Sequence, residues 1–365
     1  MPHLLVDISA HGYGHIAQTA PVVNELVQRI PDLRITVRSA APLTFLKQRF
    51  RCEFQHVLVA LDFGMTMVNA VEVDVARSLA AYRAYHIDWD AKVERAASEM
   101  RALQPDLLFA NVPYLSLAAA HAANIPAVAM CCLNWADIYR HYAQDDAESR
   151  TIHAQMLAAY DSAQVFLKVQ PTMPMPDLLN ARDIAPIAQT GTKQLIKLAR
   201  VSPSLLVGEG WGEGAREKLV LVAMGGIDYR LAMEHWPRIP NVRWLIPQAW
   251  DIRRDDMVAL ESLGMSFSDV LASCDAVLTK PGYGTFAEAA CVGVPVLYVS
   301  RGEWPEQPYL VQWLQENGVC REVTNEQLNS GALCDELDQL WRQPRPPLPV
   351  ASGAEVAANI LATML

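Results

Sequence analysis

The chain lacks the features that most readily assign a protein to a metal, a membrane or a nucleic acid. Its seven cysteines (Cys52, Cys131, Cys132, Cys274, Cys291, Cys320, Cys334) form no CxxC pair and no metal-ligand spacing. That excludes a zinc ribbon or a thioredoxin-type redox motif. An odd, scattered set inside apolar runs reads instead as buried free thiols in a reducing compartment, so cytoplasmic is the expected localisation. No stretch approaches the roughly 20 apolar residues that cross a bilayer, so no integral membrane segment is expected. Basic excess is absent too: 40 acidic residues face 30 basic ones, for a net charge of −10. Polyanion-binding surfaces usually carry the opposite balance, so no nucleic acid partner is expected. A polybasic dock on an anionic membrane is disfavoured for the same reason.

What is present is material for a core. The chain has 365 residues, 52% of them hydrophobic and only 19% charged. That length suits two domains of roughly 150 residues each. Short apolar runs alternate with longer helical patterns, the sign of an α/β fold with parallel sheets covered by helices. One such series runs through Leu4–Ser9, Arg34–Arg38, Asp106–Ala110 and Ala127–Met130. A second runs through Lys218–Met224, Val242–Ile246, Ala276–Thr279 and Val296–Ser300. Between them lie Pro171, Pro174, Pro176, Pro186 and Pro203, then glycines at 208, 210, 212 and 214. The expected division is a Rossmann-like domain over 1–165, a linker over 166–215, a second Rossmann-like domain over 216–345 and a terminal helix over 346–365. The two domains should face each other across a cleft. The glycines of the linker could instead form a phosphate loop, but no strand precedes them.

Two glycine-bearing turns follow strands, where open α/β sheets bind ligands. The first is His11-Gly-Tyr-Gly-His15. Its glycines, Gly14 among them, admit a ligand close to the backbone, and the next helix offers unpaired N–H groups. A histidine there can take a proton from a hydroxyl near neutral pH. His15, which starts the helix, is a better candidate than His11, which could equally cap the turn. The pair is four residues apart, as zinc ligands are, but glycines separate them and no glutamate intervenes, so no metal is expected. The second turn is Lys280-Pro-Gly-Tyr-Gly-Thr285, followed by a helix that carries Glu288. Glycines, a hydroxyl, a lysine and a helix N-terminus converge there on a place for a pyrophosphate. Glu288 could bind ribose hydroxyls or simply favour the helix dipole. Gly225 and Gly226, at another strand's end, could line the same cleft. Trp250 and Trp304 could stack on a base or sugar ring, or lie in the core. The run Asp251–Asp256 reads as a solvated face.

The run Thr279–Pro295 with Glu306-Gln307 resembles the donor motif of GT-B UDP-glycosyltransferases. The resemblance implies that Gly282, Tyr283, Gly284 and Thr285 form the diphosphate turn, that Glu288 holds the ribose, and that Glu306 and Gln307 hold the sugar. Lys280 stands where plant members often have histidine. Gly14-His15 resembles the acceptor-activating histidine of that superfamily. His11–His15, Leu61-Asp-Phe-Gly, Leu133–Tyr139 and Lys280–Thr285 together are similar to the glycosyltransferase-like N-terminal part of plant L-arabinokinases, and the MurG group is more distantly similar. The aspartate that orients the histidine in many plant members is replaced here by Asn111. Another acid, Asp137, is the candidate substitute, unless the histidine works alone. The implied activity is inverting transfer from a nucleoside diphosphate sugar, a UDP-sugar by resemblance, to a hydroxyl acceptor, with no cofactor required. A nucleotide-sugar epimerase or hydrolase, or a sugar-nucleotide-binding module without turnover, remain as alternatives.

Overall fold

A computed structural model of the chain describes residues 1–69, 71–194, 217–226 and 229–365. Two all-parallel sheets organise it. The first holds seven strands: β1 (His3–Ile8), β2 (Arg34–Ser39), β3 (Gln55–Leu58), β6 (Leu107–Asn111), β7 (Ala127–Cys131), β8 (Val165–Val169) and β9 (Ala181–Ile184). Their order is β3-β2-β1-β6-β7-β8-β9. A small antiparallel hairpin, β4 (Met67–Asn69) and β5 (Glu72–Val73), stands apart from it. The second sheet joins β10 (Lys218–Ala223), β11 (Val242–Ile246), β12 (Met257–Ala259), β13 (Ala276–Thr279), β14 (Val296–Val299) and β15 (Cys320–Val323), in the order β12-β11-β10-β13-β14-β15.

Both orders reverse beside their first strand, so each sheet has a switch point between β1 and β6 or between β10 and β13. Crevices for ligands open there, beyond the carboxyl ends. The sequence explains the layering. Strands such as Leu4-Leu-Val and Val277-Leu are buried on both faces because helices cover both, and near-continuous apolar runs follow from that. One charged pair interrupts the apolar surroundings: Arg38 grips Asp7 through two hydrogen bonds of 2.7 and 2.5 Å, and both side chains are buried. A fork-to-fork pairing of this kind satisfies both groups where water is absent.

The domain boundaries differ from those read in the sequence. Strands β8 and β9 complete the first sheet, so that domain runs past residue 165 and takes in part of the expected 166–215 linker. Pro171, Pro174 and Pro176 lie in the β8–β9 connection. Proline density therefore marks a loop inside the domain as well as a crossover between domains. The glycines at 208–214 lie outside the described residues. The helix Gly353–Ala362 returns to the first domain, where Arg29 Nε donates to Asn359 Oδ1 at 2.8 Å. Gly353 makes this return possible: its N–H bonds the Pro186 carbonyl at 3.1 Å, and a Cβ there would stand 2.1 Å from the Ala185 carbonyl oxygen. Among the described residues no helix is long and apolar enough to cross a membrane. The thiols are free, but Cys334 is exposed and Cys52 and Cys320 are half-buried, so the buried set is Cys131, Cys132, Cys274 and Cys291.

Candidate functional site

The two glycine turns meet. The first leads from β1 into the helix Gly14–Arg29, and the second leads from β13 into the helix Tyr283–Val292. A Cβ on Gly284 would sit 3.0 Å from Ala17 Cβ and 4.0 Å from Gly14 Cα. A Cβ on Gly226 would enter the Tyr13 ring at 2.8 Å. Gly284 and Gly226 pack against Ala17 and the Tyr13 ring of the other domain, which leaves little room for a side chain at either position. The second helix begins at Tyr283, earlier than the sequence suggested, so Gly284 and Thr285 lie in its first turn. Gly282 is its N-cap and offers no side-chain cap, which leaves first-turn N–H groups facing the interface.

His15 lies at the start of the first helix and is 5% exposed. Its Nδ1 is 2.9 Å from Asn111 Oδ1 and 3.6 Å from Cys131 Sγ. Asn111 Nδ2 donates to Gln18 Oε1 at 3.1 Å and to the His15 carbonyl at 3.4 Å. That fixes the amide with its oxygen toward the ring, so His15 carries its proton on Nδ1. Nε2 has no hydrogen-bond partner among the described residues. Burial lowers the pKa of His15, but the Cys131 thiolate, the Asn111 hydrogen bond and Asp62 more than offset it and raise it to about 9. The chain of bonds continues. Gln18 Nε2 donates to Cys132 Sγ at 2.9 Å, and that thiol donates to Glu306 Oε1 at 2.8 Å on the other domain. A line of hydrogen bonds therefore links His15 to the segment expected to hold the sugar.

Cations gather beside this line. Lys280 has no ion pair or hydrogen bond to its ammonium among the described residues. Burial and neighbouring Arg301 bring its pKa down to about 7, with Glu306 opposing. Arg301 follows β14, is 5% exposed, and has a buried Nε without a partner among the described residues. Its guanidinium stacks over Trp304 at 4.2 Å, and burial lowers its pKa to about 10. His11 stacks on Trp304 at 5.9 Å and meets Trp135 edge-on at 5.1 Å. Burial, then His15, Arg301 and Lys280, push its pKa down to about 3, so it is neutral. Its Nε2–H donates to the Met65 carbonyl at 3.1 Å. Gly225 lies against the Lys280 stem, where an added Cβ would be 3.3 Å from Cε. An anion entering here meets Lys280, Arg301 and the helix amides, with Glu306 as the carboxylate beside them.

Other expected residues are engaged by the protein itself. Glu288 is 1% exposed and its Oε1 is 2.6 Å from Arg49 Nη1, an arginine of the first domain. Its second oxygen has no partner among the described residues. Glu306 accepts from Cys132 and, through Oε2, from Trp304 Nε1 at 3.0 Å. Gln307 Oε1 accepts from the Arg301 amide at 2.6 Å. Tyr283 turns from the cleft: its hydroxyl donates to the Gln170 carbonyl at 3.0 Å and accepts from the Ile187 amide at 2.9 Å. Asp137 takes a bond from Asn134 Nδ2 at 2.8 Å and lies 4.0 Å from His153 Nε2. It lines an open cleft of about 570 Å³ with Trp304 and Gln307, whereas Cys131 is the group that stands beside His15. Asp137, His153 and Asp177 have ligand-type atoms within 4.8 Å of one another, but Arg140 already holds Asp177 at 3.0 Å. Trp250 is buried, and Arg254 of the expected solvated run is half-buried, bonded to Asp256 and to the Trp236 carbonyl.

Sequence reading missed Arg301, Arg49 and Cys131. Arg301 had a signal, since it directly follows a strand and so belongs at the binding end of the sheet. Arg49 and Cys131 had none, because their roles come from contacts with residues 239 and 116 positions away.

Comparison with solved structures agrees along the whole chain. The glycotransferase of kitacinnamycin covers 100% of both chains with a TM-score of 0.57 and 15% identity. The calicheamicin glycosyltransferase CalG4 gives 0.58 at 17% identity, over 100% of this chain and 95% of its own. UGT89C1 of Arabidopsis thaliana, solved with UDP, gives 0.58 at 13% identity over 100% of both. The chain has the GT-B glycosyltransferase fold. Curated relatives reinforce the relationship. L-arabinokinase of Arabidopsis thaliana is 22% identical over 363 residues, 97% of this chain and 33% of that protein. An uncharacterized glycosyltransferase of Methanopyrus kandleri is 28% identical over 99 residues, 27% of this GT-B chain and 29% of the relative. The chain thus spans about a third of the length of the curated relatives it matches. No family model matches it.

Proposed function

We propose that the protein transfers a sugar from a nucleoside diphosphate donor, UDP-linked, to a hydroxyl acceptor with inversion at the anomeric carbon. His15 Nε2, free of its own proton toward pH 9, takes the acceptor proton as the hydroxyl oxygen attacks that carbon. The bond to the diphosphate breaks and its electrons leave with the nucleoside diphosphate. Lys280, Arg301 and the amides that open the Tyr283–Val292 helix stabilise the departing charge, and no metal or cofactor is required. The observation that carries this reading is the meeting of the two turns. It brings to one interdomain crevice a histidine whose Nε2 makes no hydrogen bond and two basic groups without an ion pair, all among the described residues. Closure of the open cleft over both substrates would keep water from competing with the acceptor.

Binding without turnover is the second reading, and one observation favours it. Glu288 and Glu306, the residues implied for ribose and sugar, are both clasped by the protein's own groups. Incubation with a panel of nucleoside diphosphate sugars and hydroxyl acceptors separates the readings. Transfer predicts a new glycoside and free diphosphate, both abolished in His15→Ala while the donor still binds. Free sugar without acceptor indicates hydrolysis, an isomerised donor indicates an epimerase, and binding without product indicates the module.

A further inference from the structure

The neutral Asn111 leaves His15 without the negative partner that makes a histidine a strong base. The structure assigns that partner to Cys131: its thiolate, at the end of the neighbouring strand, faces Nδ1 of His15 and supplies the negative charge, while the Asn111 oxygen accepts the Nδ1–H and fixes the ring's orientation. This deepens the proposed base role of His15 and rests on it for its functional meaning.

Topology supplies the placement. Asn111 ends β6 and Cys131 ends β7, adjacent parallel strands, and β1 on the other side of β6 leads to His15. The ring nitrogen therefore sees an amide oxygen at 2.9 Å and a sulfur at 3.6 Å together. Cys131 is fully buried, so a plain thiol there would be expected to stay protonated. Burial indeed pushes it up, but Cys132, the His15 ring and the Leu133 amide outweigh this and bring it to about 6. A thiolate beside an imidazole is the usual outcome of such pairing. Among the other groups facing the pair, Asp62 adds a smaller electrostatic pull on His15 but makes no hydrogen bond to the ring, its oxygens being held by Ser9 at 2.8 Å and Trp135 Nε1 at 2.9 Å. Cys132 stays a thiol between Cys131 and Glu306, burial raising it well above the ordinary thiol range. His11 is neutral, and Lys280 and Arg301 lie across the cleft.

The consequence is a sign. With a thiolate at Nδ1, His15 holds its second proton to higher pH, so Nε2 becomes a free base only toward about 9. Activity that depends on this base should rise with pH over that range. Cys131→Ser removes the anion and moves the rise to lower pH.

The test needs neither donor nor acceptor, so it stands apart from the proposed reaction. Thiolate absorbance near 240 nm is titrated in the wild-type chain, with Cys131→Ser and Cys274→Ser as references, and the His15 ring is followed by NMR. The expected result is a thiolate step below the ordinary thiol range of about 8.5 that is lost in Cys131→Ser and kept in Cys274→Ser. The His15 titration should fall by about one pH unit or more in Cys131→Ser. A wild-type chain with no thiolate step below about pH 8 overturns the proposal whether or not the variant folds. An unchanged His15 titration in a folded Cys131→Ser chain overturns it equally. If the titrations succeed and no sugar is transferred, the pairing holds and the transferase reading fails.

Discussion

Replacing Arg49 by leucine is the most informative single perturbation of the closed interface. Arg49 Nη1 reaches Glu288 Oε1 at 2.6 Å, with side chains only 9% and 1% exposed. The second Glu288 oxygen already lacks a partner among the described residues, so Arg49→Leu would strand the carboxylate in the interface. Breaking one side of a buried pair costs about 3–5 kcal/mol. The guanidinium also lies 5.9 Å from the Phe45 ring and 5.5 Å from the Phe267 ring, contacts worth about 0.5–1 kcal/mol each where exposed. The buried-pair loss alone is a large part of a total stability of about 5–15 kcal/mol. Urea unfolding followed by tryptophan fluorescence should therefore show a loss of about 3–5 kcal/mol in Arg49→Leu. Arg49→Leu with Glu288→Leu should recover most of it, because two apolar groups replace the pair without leaving a charge. The double-mutant cycle isolates that coupling. A loss below about 1 kcal/mol in Arg49→Leu, or strict additivity in the cycle, would refute the reasoning. Either would mean that the two domains part in solution and the pair opens to water.

Two further expectations use other parts of the site. His11 is held near 3 in the fold against 6.5 when exposed, so its stabilising effect is complete above 6.5 and declines as pH falls toward 3. His11→Gln should flatten the acid limb of a stability–pH curve measured by thermal unfolding; an unchanged limb would show that the ring protonates in place. Gly64 has φ +59, and a Cβ there would stand 2.6 Å from the His11 ring and 2.8 Å from Trp135. Gly64→Ala should destabilise by more than about 1 kcal/mol in urea unfolding and disturb the His11–Trp304 stack, because strain and overlap add. A neutral result would show that the loop yields.

The parts of the molecule legible in the sequence are those set by local periodicity. The strands of both sheets that lie near the switch points were visible as apolar runs, because burial on both faces leaves little room for polar residues. The two glycine turns were visible because close backbone approach leaves few alternatives to glycine. Strands β9 and β12 were not, being short and amphipathic or half-exposed at sheet edges. The site divides in the same way. Lys280 and His15 could be named from their place after a strand. The engagement of Glu288 by Arg49, of Glu306 by Cys132 and Trp304, and of His15 by Cys131 depends on which faces the domains turn to each other. No window of local sequence carries that information, and it appears only once both sheets are placed.

The central claim is that a nucleoside diphosphate binds where the two turns meet. Calorimetric titration of the wild-type chain with UDP and with uridine, repeated for Lys280→Ala and Arg301→Ala, tests it most directly. The account predicts that UDP binds far more tightly than uridine and that each substitution weakens UDP by about tenfold or more, the loss expected for a charge-assisted hydrogen bond. Equal affinity for UDP and uridine, or UDP binding unaffected by both substitutions, would contradict it.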